Sequence, residues 1–289
     1  MGADAIRLRE LNMKFLYRTV FLSDTHLGFA GVRAEELSAF LKHLRCERLY
    51  LVGYIIDLWA LRSRWRWPAM HNQVVRRLLK LAKHGTVVTY IPGNHDDALR
   101  QYAGLDLGGV KLAKRAVHRT ADGKSLLITH GDEYDLVIQH MPVLSMLGTW
   151  AYDHLINLNR LVNAIRGLFG MKRWSFSQTV KMRVKSACTF VSKFEQTLLA
   201  EALRHGQDGV VCGHVHQPDV RNVQCVEGMG LYANCGDWIE RATALVEHED
   251  GTLEIIDVEQ LLSESGVEVK RLHDDPVPLE TDFTMEWIA

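Results

Sequence analysis

Asp24 and His26 in SDTHLG, Asp57 in GYIID, Asn94, His95 and Asp96 in PGNHDD, His130 in THGD, and His214 and His216 in GHVH each stand at or just beyond a short apolar run. Together they form a mixed oxygen and nitrogen donor set of carboxylates, imidazoles and one amide oxygen. Such a set suits Mn²⁺, Fe²⁺ or Zn²⁺ and offers no soft sulfur cage. Asp-x-His and His-x-His spacing sends both donors of one strand-end loop to the same side. Two divalent ions about 3.5–4 Å apart can hold both a nucleophilic hydroxide and a phosphoryl oxygen. Any single piece is ordinary, since a lone His after a strand is commonly structural. The whole ordered set, with glycines at the turns, points to a two-metal hydrolase.

These residues must be positioned by the runs that precede them. FLYRTVFLSD reads as a buried strand ending at Asp24, and AEELSAFLKHL carries Leu37, Phe40, Leu41 and Leu44 at helical spacing. RLYLVG is the next apolar run. HNQVVRRLLKLAKHG is an amphipathic helix stopped by Gly85. TVVTYIPGN is a strand followed by a turn, and KSLLITHGD, GVVCGHVH and LYANCGDW repeat that pattern. ATALVEHEDGTLEIIDV is a hairpin turning at Asp250-Gly251. Early strand–helix alternation and late hairpins predict an α/β sandwich of mixed sheets covered by helices. The polar residues then fall at strand ends, where open α/β sheets place their sites.

The chain has 289 residues, 47% of them hydrophobic, and carries 34 basic against 35 acidic side chains. That balance gives no global field for a polyanion, and no nucleic-acid partner is expected. The five scattered cysteines, Cys46, Cys188, Cys212, Cys225 and Cys235, form no C-x-x-C pair and fit a reducing cytosol. MGADAIRLRELNMK lacks an apolar core for a secretion signal, and Ile6 stands where myristoylation wants Ser or Thr. No apolar run is long enough for a membrane span. The expectation is one domain over 1–289. Within it, 136–205 reads as a basic, aromatic helical insertion, and 273–289 as an acidic tail.

The order D-x-H, G-D-x-x-D, G-N-H-D, H-G-D, G-H-x-H, present here as DTH, GYIID, GNHD, HGD and GHVH, resembles that of calcineurin-like metallophosphoesterases. The resemblance runs from about Phe15 to Val258. Within that superfamily the chain looks like the UDP-2,3-diacylglucosamine pyrophosphatase branch of lipid A synthesis, on SDTHLG, LWALRSRWRWP, YIPGNHDD, THGDEYD, VVCGHVHQP and NCGDWIE. The resemblance implies a four-layer αββα sandwich. It implies Asp24, His26 and His216 around one divalent ion and Asn94, His130 and His214 around another, with Mn²⁺ ahead of Zn²⁺ or Fe²⁺. His95 would stabilise the transition state or protonate the leaving oxygen, held by Asp57 or a neighbouring acid such as Asp96. The implied reaction is in-line attack of hydroxide on a glycolipid pyrophosphate, releasing UMP and an acylated glucosamine 1-phosphate, in the cytoplasm or at the cytoplasmic face of the inner membrane. A phosphoesterase for another nucleotide or phosphoester, and a catalytically dead binding homologue, are the rival readings.

The bridging carboxylate of the family would fall at position 54, where this chain has Tyr54. Two dications at 3.5 Å repel by roughly 19 kcal/mol at an effective dielectric near 20. A phenol, with a reference pKa near 10, is a poor anion to offset that repulsion. Tyr54 is therefore an inactivating substitution, or Asp57 moves in as the ligand, or a metal-bound phenolate bridges the ions. At the substrate end, Arg62, Arg64 and Arg66 around Trp65 could grip a diphosphate and stack on a base; alternatively they form a solvated helix lip. Trp150, Leu155, Leu158, Leu161, Ile165, Leu168, Phe169, Trp174 and Phe176 could line an acyl-chain groove, with nearby Lys and Arg meeting anionic lipid. The plain alternative for that segment is a helical cap closing the core.

Overall fold

The strands of this protein are apolar on both faces, and that pattern dictates the layering. In the computed structural model, which describes residues 15–29, 31–63, 65–134 and 177–270, β1 (Phe15–Ser23) sends Val20 and Leu22 to one side and Phe21 to the other. β2 (Leu44–Val52) does the same with Leu49 and Leu51 against Tyr50 and Val52. Strands with two buried faces require a layer on each side.

β1, β2, β3 (Val87–Ile91), β4 (Asp106–Leu107), β5 (Val110–Leu112), β11 (Thr243–Glu247) and β12 (Leu253–Asp257) make a seven-stranded sheet in the order β12-β11-β1-β2-β3-β5-β4. β6 (Ala116–Arg119), β7 (Ser125–Ile128), β8 (Gly209–Cys212), β9 (Asp219–Cys225) and β10 (Gly228–Asn234) make a five-stranded sheet in the order β6-β7-β8-β10-β9. Both sheets mix parallel and antiparallel pairs. Phe21, Tyr50, Val52, Ile91, Leu126, Ile128, Val211 and Leu245 fill the space between the sheets.

Helices α1 (Ala34–His43), α2 (Leu58–Ser63), α3 (Ala69–Lys83) and α5 (Val258–Glu264) accompany the first sheet, whose outer core includes Leu37, Phe40, Val74, Leu78 and Leu262. Helix α4 (Ser177–Arg204) covers the second sheet through Phe194, Leu198, Leu199 and Ala202. The result is the expected αββα sandwich. One boundary differs from expectation: α1 stops at His43, and Leu44 opens β2 by pairing with Phe15. Leu44 is buried in the outer core, so its spacing from Leu37 and Leu41 mimicked one more helical position. Arg64, residues 136–176 of the insertion and the 273–289 tail lie outside the described residues. Among the described residues no helix is long and apolar enough to cross a membrane.

The register aligns the strand ends. Ser23 pairs with Val52, Val52 with Ile91, Ile128 with Val211, and Cys212 with Asn234. The parallel strands β1, β2, β3, β7, β8 and β10 therefore finish level, and the motif loops all leave from one edge.

Away from that edge the sheets are tied by a buried ionic cluster. Glu247 on β11 is fully buried and accepts from Arg18 Nη1 at 2.5 Å, His118 Nε2 at 2.8 Å and the Ala121 N–H at 2.8 Å. Burial alone would raise its pKa, but hydrogen bonds from His118, Thr19 and Ala121 hold it down at about 2. A depressed carboxyl stabilises fully above its unfolded pKa, and that contribution is lost as pH falls from there toward about 2. Glu247→Gln is expected to cost about 3 kcal/mol at pH 7, a fall in Tm of roughly 6–12 °C. Thermal melts should show the gap between variant and parent closing as pH falls from about 4.5 toward about 2.

Candidate metal centre and active site

Five residues at this edge adopt a backbone that side chains resist. Asp24 (φ 52°), His26 (φ 46°), Tyr54 (φ 51°), His214 (φ 71°) and His216 (φ 53°) are the non-glycine positions of positive φ among the described residues. Each left-handed residue costs about 1–2 kcal/mol, least for Asp and His, and such strain gathers at functional sites. Hydrogen bonds hold the turns in place: Asp24 N to Gly53 O (3.1 Å), His26 N to Tyr54 O (2.6 Å) and Trp238 N to Asp24 O (3.1 Å). Gly53 (φ 74°) is needed on two counts, because a Cβ there would also lie 2.1 Å from His130 Nδ1. Gly53→Ala is expected to destabilise the fold by about 2–4 kcal/mol and to displace the His130 ring. Denaturant melts and the imidazole NMR shifts of His130 would register it.

Asp24, His26 and His216 form a first cluster, with ligand atoms all within 4.8 Å of one another. Asp24 is fully buried; His216 Nε2 lies 3.2 Å from its Oδ1, and the His214 N–H donates to Oδ2 at 3.1 Å. Burial would raise the Asp24 pKa, yet the His216 hydrogen bond and the imidazoles of His130, His216 and His26 hold it well below the carboxylate range. His216 moves the opposite way: burial lowers it, but Asp24, Asp237 and Glu240 raise it above its ordinary value. His26 donates Nδ1–H to Asp57 Oδ2 at 2.9 Å, so its Nε2 carries a lone pair. That Nε2 is buried and has no protein partner. A buried ring nitrogen without a partner, beside a buried carboxylate and a second imidazole, is the donor set a divalent cation satisfies.

Asp57 serves two rings. Its Oδ2 is also 3.1 Å from His95 Nδ1, while Oδ1 accepts from the Ala60 N–H at 2.8 Å at the start of α2. Burial would raise its pKa; the bonds from His26, His95 and Ala60 place it well below the usual range. Trp59, exposed on α2, stacks on the His95 ring at 4.4 Å and 23°. The same three atoms of His26, Asp57 and His95 would geometrically admit a cation. His95 Nδ1 is itself a buried atom without an aligned hydrogen-bond partner, so Asp57 holds His26 by a hydrogen bond and His95 by close approach at 3.1 Å, and we read Asp57 as the carboxylate that orients both imidazoles.

Asp96 does not share the holding of His95. Its Oδ1 accepts from Gly93 N (2.6 Å), and its Oδ2 from Ile55 N (3.0 Å) and the Tyr90 hydroxyl. Burial pushes its pKa up to about 6 against these hydrogen bonds. Asp96 is a brace between the PGNHDD loop and the segment after Tyr54. Asp132 of THGD plays a similar part, with both oxygens on Arg100 Nη2 at 2.6 and 2.7 Å, while Arg100 also reaches the Pro92 carbonyl.

Asn94, His130 and His214 meet around Tyr54. The Tyr54 hydroxyl donates to Asn94 Oδ1 and lies 3.0 Å from His214 Nδ1. Its ring sits 4.1 Å from His130 and 4.3 Å from His95. His130 donates Nδ1–H to Val52 O at 3.1 Å, which leaves Nε2 as a buried acceptor without a protein partner. Burial, aided by His214 and opposed by Asp24 and Asp132, brings the His130 pKa down to about 4. Burial first, then the charges of Asp24, Asp132 and Asp96, raise the Tyr54 phenol well above 10, so the protein alone keeps it neutral.

Arg62, Trp65 and Arg66 are exposed on α2 and the loop after it, a segment that starts at Asp57. Arg64 lies outside the described residues. Sequence reading gave Trp59 no role at His95, because stacking depends on how α2 leaves Asp57. It also passed over His71, whose Nδ1 accepts from the Gly28 N–H at 3.0 Å and ties α3 to the DTHLG turn.

A family model described as calcineurin-like phosphoesterase matches residues 17–218. Curated relatives called UDP-2,3-diacylglucosamine hydrolase include one from Edwardsiella ictaluri, 26% identical over 235 residues and covering 76% of this chain and 84% of that protein. Another, from Aromatoleum aromaticum, is 27% identical over 234 residues, covering 76% and 86%. A third, from Stenotrophomonas maltophilia, is 26% identical over 241 residues, covering 78% and 93%. Among solved structures, a hypothetical protein from Pyrococcus horikoshii aligns with a TM-score of 0.44 at 10% identity, over 88% of this chain and 95% of its own.

Proposed function

From the premise that this chain belongs to the calcineurin-like phosphoesterase family, we propose that it hydrolyses the pyrophosphate of a UDP-2,3-diacylglucosamine-like glycolipid. The products are UMP and an acylated glucosamine 1-phosphate, formed at the cytoplasmic face of the inner membrane. The observation that carries this reading is the juxtaposition of the Asp24–His26–His216 cluster with a His95 ring pinned by Asp57. The family implies divalent ions; this oxygen–nitrogen set admits Mn²⁺, Fe²⁺ or Zn²⁺, and Mn²⁺ is the ion proposed. Such an ion, when bound, supplies Lewis-acid charge neutralisation and lowers the pKa of water.

The chain's own residues do the rest. Asp57 keeps the proton of His26 on Nδ1, which leaves Nε2 as a ligand atom. It also lies 3.1 Å from His95 Nδ1, so that the doubly protonated ring keeps its Nδ1–H toward Asp57 and has the Nε2 proton to give to the leaving oxygen. Trp59 covers one face of His95 and sets the plane of its ring. Arg62, Arg64, Arg66 and Trp65 are assigned to the diphosphate and uracil, and the 136–205 segment to the acyl chains and the anionic membrane surface. Support for the substrate comes from the relatives' names and from the Arg–Trp segment that follows Asp57.

The test is UMP release from UDP-2,3-diacylglucosamine with Mn²⁺ present, beside bis-p-nitrophenyl phosphate and a nucleotide panel. Asp24→Ala serves as the inactive control. Turnover of the glycolipid above the panel supports the proposal. Hydrolysis of nucleotides without the glycolipid overturns the substrate. Glycolipid binding without turnover overturns the activity and makes this a binding homologue.

A further inference from the structure

We propose that this chain holds one divalent cation, on Asp24, His26 and His216, and that the Tyr54 hydroxyl takes the place of a second. The inference rests on the metallophosphoesterase reading above and assigns the two clusters different fates. In the first cluster, the ligand atoms remain available to a cation. His26 Nε2 is unpartnered, and Asp57 fixes the tautomer that leaves it so. In the second, the atoms a cation would need are engaged. Asn94 Oδ1 accepts the Tyr54 O–H, and His214 Nδ1 lies 3.0 Å from the same phenolic oxygen. Of these three ligand atoms, His130 Nε2 alone lacks a partner among the described residues, and one neutral imidazole does not retain a dication.

The phenol is also locked in place. Tyr54 is 4% exposed, and its ring lies against His26, His95 and His130 at centroid distances of 4.9, 4.3 and 4.1 Å. A cation entering the second cluster would have to expel a packed ring. Charge points the same way. Of the seven candidate ligands, Asp24 is the sole carboxylate; Asp57, Asp96 and Asp132 are committed to His26, to the loop backbone and to Arg100. Two dications would face a single formal negative charge, whereas one dication and a neutral phenol leave far less uncompensated charge at the same spot.

Metal content of the full chain, after Mn²⁺ loading and dialysis, is the readout, with calorimetric titration for affinity. Wild type is expected to retain one Mn²⁺ per chain and to give the paramagnetic resonance spectrum of an isolated ion. Tyr54→Asp is expected to retain two, with exchange coupling between them. His130→Ala should leave the wild-type count at one and should reduce the Tyr54→Asp count from two to one. His216→Ala in the wild-type background should lose the ion. Two coupled ions in wild type would overturn this inference and leave the hydrolase reading intact. A Tyr54→Asp count that stays at one, or a wild type that binds none while Tyr54→Asp binds, would also overturn it. No binding by either form would overturn the metallophosphoesterase reading itself. The resonance spectrum of wild type decides the count even if a variant fails to fold.

Discussion

Asp57→Asn is expected to weaken Mn²⁺ binding about 10–100-fold and to lower turnover by about 10²–10⁴-fold, on whichever phosphoester the wild type cleaves. One oxygen of Asp57 serves His26 Nδ1 at 2.9 Å and His95 Nδ1 at 3.1 Å. A carboxylate can accept from both rings at once. In an amide, either the oxygen faces both rings as a weaker, uncharged acceptor while the NH2 opposes the Ala60 N–H, or the NH2 faces both rings and neither keeps its acceptor. If His26 turns, its proton moves to Nε2, the atom that must stay deprotonated to bind a cation. If His95 turns, the ring loses the negative charge that favours its doubly protonated form and the orientation that aims its Nε2 proton at the leaving oxygen. The two losses separate experimentally. Calorimetry reports the His26 arm, and the alkaline limb of the pH–rate profile at saturating Mn²⁺, where a general acid loses its proton, reports the His95 arm. Unchanged affinity and an unchanged profile would remove Asp57 from the machinery.

That arrangement shows what can and cannot be read from a chain of residues. Strands β1, β2, β3, β7, β8 and β10 were visible because each is a compact apolar run ending at a polar motif. Apolarity on both faces also implied layers on both sides. The short strands β4, β5 and β6 were not visible. Two to four residues carry too little alternation, and Leu107 and Val117 are exposed, so pairing with neighbours rather than composition makes them strands. At the site, the donor types and their order were readable, since they sit at fixed offsets from strand ends. The partition of the acids was not. Asp57 and Asp96 look alike in sequence, but Asp96 is consumed by Gly93, Ile55 and Tyr90, while Asp57 faces two imidazoles. The left-handed backbone at Asp24, His26, His214 and His216 suits residues that tolerate it, and only coordinates reveal that Tyr54 is forced into the same conformation.

Tyr54→Asp should therefore do three things at once, and their signs differ. Relief of left-handed strain returns about 1–2 kcal/mol, because Asp accepts φ near 51° far better than an aromatic residue. Loss of a buried ring removes about 3–5 kcal/mol of packing. A new carboxylate beside fully buried Asp24 adds repulsion of a few kcal/mol unless cations neutralise it. In chelator the variant should thus melt below wild type, by roughly 6–20 °C if the net cost is about 3–5 kcal/mol. Each ion held at about 100 times its Kd then returns roughly 2.7 kcal/mol. Wild type, with one usable cluster, should gain about 5–11 °C from saturating Mn²⁺; the variant, with two, should gain about twice that. Turnover should rise about 10²-fold over wild type, the size expected when a preorganised charge is restored at the reacting centre. Equal manganese-induced shifts in the two proteins, with no gain in rate, would mean that Tyr54 obstructs nothing and that the carboxylate missing from position 54 is supplied elsewhere. The size of the shift in Tm thus measures how many cations the strand edge can hold, independently of which phosphoester it cleaves.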